Sequence, residues 1–333
     1  PRGIDREIVE SMHRTHIGVD NDPVNLILHG LRTSIGDGWG GSMIATELSD
    51  VLFGTPQPVK SLSNLGVLKE SEVNIIVHGH EPTLSEMIVA ASQDPEMVAL
   101  ARQQGAEGIN VAGMCCTGNE ILMRHGVPIA GNFLQQELAI ITGAVEAMIV
   151  DVQCIFPALP SLATCFHTKI ISTSPKAKFP GATHVEFHEE HGYAIAKEIV
   201  CQAVANYGHR NRSMVNIPDE KTECMAGFSV EAIVQALGGT LTPLLDAVKS
   251  GAVRGIAGLV GCNNPRIRHD YGHLALVKEL IAQDILVVNT GCNAIACAKA
   301  GLLRPEAAEL AGPGLRAVCQ AVGIPPVLHM GSC

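Results

Sequence analysis

The sequence predicts an α/β protein in which two Rossmann-like parallel-sheet domains follow a helical segment. Three patterns carry that prediction. From about Thr55 onward, apolar runs of strand length alternate with amphipathic stretches of helix length, and such alternation builds βαβ units around a parallel sheet. The first 55 residues show helical spacing instead. Six of the apolar runs end in cysteine or histidine, and ligands of open α/β sheets bind outside the carboxyl ends of strands. The expected divisions are a helical segment at 1–55, a first Rossmann-like domain at 56–209 and a second at 210–333.

Bulk composition narrows the function classes. The 333 residues are 47% hydrophobic but only 3% aromatic, so the cores are built mainly from Ala, Val, Ile and Leu. A net charge of −10 with no basic stretch argues against a nucleic-acid partner. Eleven cysteines in a chain this long do not form the pattern of a small secreted disulfide scaffold. In a cytosolic protein such thiols serve metal or catalysis more often. No signal peptide is visible, and the expected location is cytoplasmic or peripheral at the inner membrane face. The most apolar region, Leu138 to Pro160, contains Glu146, Asp151 and Gln153 and turns at Pro157 and Pro160. It reads as a buried helix followed by a buried strand, not as a membrane span. Pro1 opens directly into a helical pattern, and Cys333 follows a strand-like run with no helix after it. Part of a longer protein is therefore expected on both sides.

Taken in order, DPVNLILHGLRT and GSMIATELSDVLFG have amphipathic spacing. Between them Gly36, Asp37, Gly38, Trp39, Gly40 and Gly41 predict a Gly-rich turn that holds one Asp and the single Trp. Strand VNIIV precedes a helix with Pro82 in its first turn. PEMVALARQQG predicts a helix that stops at Gly105. Strand INVAG, a helix from Thr117 to Arg124, a helix from Gln135 to Ala147, strand MIVDV and strand KIIST follow. EEHGYAIAKEIVCQAVANYG reads as one long helix ending at Gly208, and NRSMVNIPDEKTECMAG as a linker. From Phe228 a second α/β unit supplies strands GIAGLVG, ILVVNT and PPVLHM.

The six strand ends lead to His78 and His80, to Cys115 and Cys116, and to Cys154, Cys262, Cys292 and Cys333. A single buried cysteine is most simply a small hydrophobe. Six strand ends carrying potential ligands together point to one shared metal site. A small residue before Cys262, Cys292 and Cys333 lets the backbone approach a bulky inorganic group. The pattern lacks the close Cys pairs of a structural zinc site and the CxxCxxC run of ferredoxins. One of His78 and His80 is expected to face the site. An imidazole among thiolates leans away from a closed electron-transfer cubane, towards a metal that keeps an open position for chemistry. Cys165, Cys201, Cys224, Cys297 and Cys319 read as core or surface thiols, and His184, His188 and His191 as a solvated helix start.

HGHEPTLSEMI, GMCCTGNEILMRHGVPIAGNFLQQELA, DVQCIFP, GLVGCNN, NTGCNA and VLHMGSC together closely resemble the nickel-dependent, anaerobic-type carbon monoxide dehydrogenases, over nearly the whole chain. The resemblance implies a nickel–iron–sulfur cluster. By position, Cys154, Cys262 and Cys292 would hold cubane irons and Cys333 would bind nickel. His80 and one of the Cys115–Cys116 pair, with Cys116 favoured, would hold the iron outside the cubane. Asp37 would serve proton movement. The implied reaction is the reversible oxidation of CO with water to CO2, two protons and two electrons. A ferredoxin-like acceptor and a homodimer are implied as partners, with further 4Fe-4S clusters in an N-terminal segment that the family carries and this sequence lacks. The family's downstream lysine is also missing. The rival readings are a hybrid-cluster-type reductase of hydroxylamine or nitrogen oxides, an iron–sulfur electron carrier, and a metal-free α/β protein.

Overall fold

The computed structural model describes residues 2–332, so Cys333 lies outside the described residues. The chain forms two compact units, one ending at Gly54 and one spanning Thr55–Ser332.

The first unit is helical. Helix Pro23–Asp37 starts where sequence chemistry says it should: Pro23 occupies the first turn and the Asp22 carboxylate accepts the Val24 and Asn25 N–H groups at 2.8 and 3.1 Å. The expected Gly-rich turn is not a turn. Asp37 closes that helix, residues Gly38–Ala45 continue as a π-helical stretch, and helix Thr46–Phe53 follows without a break. Gly38 keeps right-handed helical angles, φ −56° and ψ −34°. Glycine lowers helix propensity without forbidding the helix, and here it is wound into the wider turn.

The second unit is built on an eleven-stranded sheet. Its strands are β1 (Val59–Ser63), β2 (Val73–His78), β3 (Ile109–Met114), β4 (Ile129–Gly131), β5 (Val145–Val150), β6 (Lys169–Ser172), β7 (Thr183–His184), β8 (Thr222–Ala226), β9 (Gly255–Leu259), β10 (Ile285–Asn289) and β11 (Val327–His329). Their order is β7-β6-β5-β2-β3-β4-β1-β8-β11-β10-β9. Every neighbouring pair is parallel except β1 and β8, which run antiparallel from Val59 opposite Ala226 to Ser63 opposite Thr222. All residues of β2 and β5 are buried, as strands covered on both faces must be.

Two expected elements change. The helix expected over 135–147 ends at Ile141, and Gly143 turns the chain with φ +66° into β5. Glu146 disguises that strand, because a carboxylate interrupts its apolar run. It is tolerated there because Arg210 pairs with it through two contacts of 2.7 Å, and both side chains are buried. Arg210 also donates to the carbonyls of Glu70, Glu72 and Ala144, which satisfies its fork. The expected linker at 211–227 contains β8, in which Glu223 is exposed while Cys224 and Ala226 are buried.

The antiparallel seam would send the strand ends of the two halves to opposite edges of a flat sheet. Sheets are not flat: neighbouring strands rotate by about 20–25° per step. Over the five steps from β3 to β10 an ordinary twist adds up to roughly 100–125°, so the two sets of ends need not point to opposite edges. Among the described residues no helix is long and apolar enough to cross a membrane.

Removing one partner of a buried, paired charge is costly because the other is stranded. Arg210→Ala is expected to lower unfolding free energy by about 3–5 kcal/mol, measured by urea denaturation. A loss under 1 kcal/mol would contradict the role given to this pair.

Candidate metal centre

Helix Cys115–His125 follows β3 directly and closes at Gly126 in a left-handed conformation. It packs on its own strand with almost no space between: a Cβ on Gly113 would lie 2.4 Å from the Gly118 Cα, and one on Gly118 would lie 2.7 Å from the Gly113 carbonyl carbon. Three polar side chains of its first turns then reach three separate loops. The Thr117 hydroxyl donates to the Glu81 carbonyl at 3.1 Å, and the Thr117 N–H donates to the Gly79 carbonyl at 2.8 Å. These bonds hold the turn that carries His80. The Asn119 amide donates to the Gly291 carbonyl at 3.2 Å, beside Cys292, and accepts from His329 Nε2 at 3.0 Å. Glu120 accepts the Ser332 hydroxyl, the residue before Cys333.

Five of the sequence-predicted donors are linked pairwise near the head of this helix. Cys154 hydrogen-bonds with the side chains of Cys115, Cys262 and His80, and Cys115 also hydrogen-bonds with Cys292. Cys116, the second residue of the helix, is buried. None of the ten described cysteines is in a disulfide. Of the two strand-end histidines, His80 is the one in contact with the thiols, whereas His78 is fully buried at the end of β2. Asp37 closes a helix of the other unit and is exposed there. Cys297, Cys224 and Cys319 are core residues, and Cys165 and Cys201 are exposed. His184 lies in β7 and bonds the Ser172 hydroxyl.

The backbone around the donors adopts conformations that side chains resist. Cys115, Gln153 and Cys154 have φ of 59°, 61° and 60°, each a left-handed position that costs of order 1–3 kcal/mol for a non-glycine residue. Gly79, Gly261 and Gly331, each one or two residues before His80, Cys262 and Cys333, have φ of 138°, 121° and 130°. At Gly79 there is also no room, since a Cβ would sit 1.9 Å from the Asp151 carboxylate.

Asp151 is the residue that sequence reasoning missed. It follows β5, is buried, and its Oδ1 accepts the N–H groups of His80 and Val152. One carboxylate thus ties the His80 turn to the Cys154 loop. The available signal was an acidic residue in an apolar strand, which the reading of 138–160 used only to exclude a membrane span. Burial pushes the Asp151 carboxyl up to about 6, against the pull of those N–H donors.

Electrostatics separate the donors. Burial raises Cys115 well above the usual thiol range, while hydrogen bonds from Cys115, Cys262 and His80 hold Cys154 far below it. Burial pulls His80 down, but its bond and charge attraction to Cys154, with the Val152 carbonyl and the Asp151 charge, together outweigh it, so its pKa is raised. Its Nδ1 faces the Val152 carbonyl at 3.1 Å. That partner only accepts, so Nδ1 carries a proton and Nε2 is the nitrogen that a metal would take, the usual arrangement of a metal-binding histidine.

Among the described residues no group of three or more His, Cys, Asp or Glu is arranged to hold a metal ion. The thiols are strung in pairs around Cys154 rather than drawn to one point. A set of soft thiolates with one oriented imidazole fits a polynuclear iron–sulfur group better than a lone ion. An apolar cavity of about 380 Å³ lies elsewhere, between Phe228, Leu244, Ile256 and Leu315, and no ionisable side chain lines it.

Comparison with known proteins fixes the family. The model of the Prismane/CO dehydrogenase family matches residues 1–333. This chain belongs to that family. It is 70% identical to carbon monoxide dehydrogenase 1 of Methanosarcina mazei, over all of this chain and 53% of that protein. It is 50% identical to the carbon monoxide dehydrogenase of Rhodospirillum rubrum, again over all of this chain and 54% of that protein. A nickel-free crystal structure of carbon monoxide dehydrogenase from Thermococcus sp. AM4 superposes with a TM-score of 0.89 at 62% identity, covering all of this chain and 53% of that one. The chain therefore spans about half the length of the curated relatives it matches.

The site sets a pH dependence for the metal-free chain. Burial lowers His78 and His329 to about 4, so their contribution is complete above the ordinary pKa near 6.5 and is lost as pH falls through 4. Asp151 has the opposite sign, since its raised pKa favours the fold below 3.8 and costs stability as pH rises through 6. His80 and Glu120, both raised, share the sign of Asp151. The contribution of His329 is therefore read by difference: His329→Gln should lose less unfolding free energy than the parent chain between pH 7 and pH 4 in urea titrations. Equal slopes would contradict the assignment.

Proposed function

We propose that this chain forms the active-cluster portion of a nickel-dependent carbon monoxide dehydrogenase and oxidises CO with water to CO2, two protons and two electrons, reversibly. The observation that carries the reading is the joining of Cys115, Cys154, Cys262, Cys292 and His80 through their side chains at the head of one helix. Residues His80, Cys116, Cys154, Cys262, Cys292 and Cys333 would hold a nickel–iron–sulfur cluster, with Cys115 as their close neighbour. When bound, that group supplies nickel for CO, an iron Lewis acid for water and a reservoir for two electrons.

The chain's own residues do the rest. The Val152 carbonyl accepts a hydrogen bond from His80 Nδ1–H and so would aim Nε2 as a ligand. Asp151 fixes the His80 turn against the Cys154 loop. Buried Cys116 and Cys292 keep bulk water from that side, while the exposed Cys262 leaves an open side. Asp37 would move protons, electrons would leave to a ferredoxin-like acceptor through further 4Fe-4S clusters, and the protein would act as a cytoplasmic homodimer. Residues 56–209 and 210–333 would be its two Rossmann-like domains. A hybrid-cluster reductase is not favoured, because the relatives at 50–70% identity are named for carbon monoxide.

The test is CO-dependent viologen reduction by anaerobically purified protein loaded with iron, sulfide and nickel. Cys292→Ser is expected to lower the rate at least 100-fold. An unchanged rate, or hydroxylamine reduction without CO oxidation in the parent protein, would overturn the proposal.

A further inference from the structure

Three histidines that no ligand assignment uses share one geometry. His78 Nε2 lies 3.2 Å from both the Cys154 carbonyl and Gln136 Oε1. Both partners accept, so Nε2 carries the proton and donates. His273 Nε2 lies 3.1 Å from the Cys262 carbonyl, and its Nδ1 lies 3.0 Å from Asn293 Nδ2. The carbonyl accepts and the amide donates, so the ring is neutral with its proton on Nε2. His329 Nε2 lies 3.0 Å from Asn119 Oδ1, and the Asn119 amide donates in turn to the Gly291 carbonyl, beside Cys292. His80 is the reverse: its Nδ1 is the nitrogen that donates to backbone, at the Val152 carbonyl.

We infer that His78, His273 and His329 are positioning residues, each a neutral imidazole that holds one cysteine loop by an Nε2–H bond to the backbone, directly at Cys154 and Cys262 and through Asn119 at Cys292. The inference rests on the cluster reading for its purpose, because a loop that must present a thiolate needs its carbonyl anchored facing away. Backbone geometry supports that need. Cys154 has φ 60° and Gly261 has φ 121°, so neither loop is held by strand or helix bonds at the cysteine itself. His273 makes the arrangement reach further: Asn293, its partner at Nδ1, follows Cys292, accepts from Asn289 and sits in the helix Gly291–Lys299. One ring therefore joins the Cys262 and Cys292 loops. Burial keeps all three rings on the neutral side, with His273 lowered by the same cause.

The test compares His273→Leu with His273→Gln, since the Gln side-chain amide can donate where Nε2–H did. His273 is only half-buried, so the fold is expected to survive. In the metal-free protein, amide exchange at residues 261–264 should accelerate at least tenfold in His273→Leu and return to within threefold of wild type in His273→Gln, with β10 unchanged. In the anaerobically reconstituted protein, iron per chain should fall at least threefold in His273→Leu and recover in His273→Gln. A second pair, His329→Leu and His329→Gln read at the amides of 291–293, repeats the comparison should the first Leu variant not fold. The inference is overturned if the Leu variants match wild type in exchange and iron, or if the Gln variants are as defective as the Leu variants. Wild type that takes up no iron would sink the cluster reading, while the exchange comparison would still decide the anchoring.

Discussion

The glycine-to-glycine contact between β3 and helix Cys115–His125 is the constraint on which the site depends. It seats the helix so close to its strand that Thr117, Asn119 and Glu120 reach the His80 turn, the Gly291 carbonyl and Ser332. Without that seat, loops from both sides of the antiparallel seam would have no common anchor. Each of the three bonds is ordinary, worth about 1 kcal/mol net. Their importance is geometric, because they reach from the first turns of one helix to loops far apart in sequence.

The second constraint is desolvation. His78, His329, Asp151 and Glu120 are buried beside the donors, and burial disfavours their charged forms. Strain at Cys115, Gln153 and Cys154 persists because neighbouring bonds over-determine it, as at other functional sites.

Much of this was legible in the sequence. All six strands expected to end in a ligand are present. What was hidden was long-range. β8 was read as linker because its polar residues mask a seam strand, and the antiparallel pairing with β1 leaves no local signature. Glu146 hid the start of β5 because its partner, Arg210, is 64 residues away. Asp151, His273 and His329 look like stray polar residues until their partners are seen, and His78 drew notice only as a candidate ligand.

The central claim is that one helix gathers six strand ends into a single metal centre. The most direct measurement is anomalous X-ray scattering from an anaerobically grown crystal, at energies bracketing the nickel and iron edges. Iron density bounded by Cys154, Cys262, Cys292 and His80, with nickel in the same cluster, is the predicted result. Metal at scattered surface sites, with none at the head of helix Cys115–His125, would contradict it.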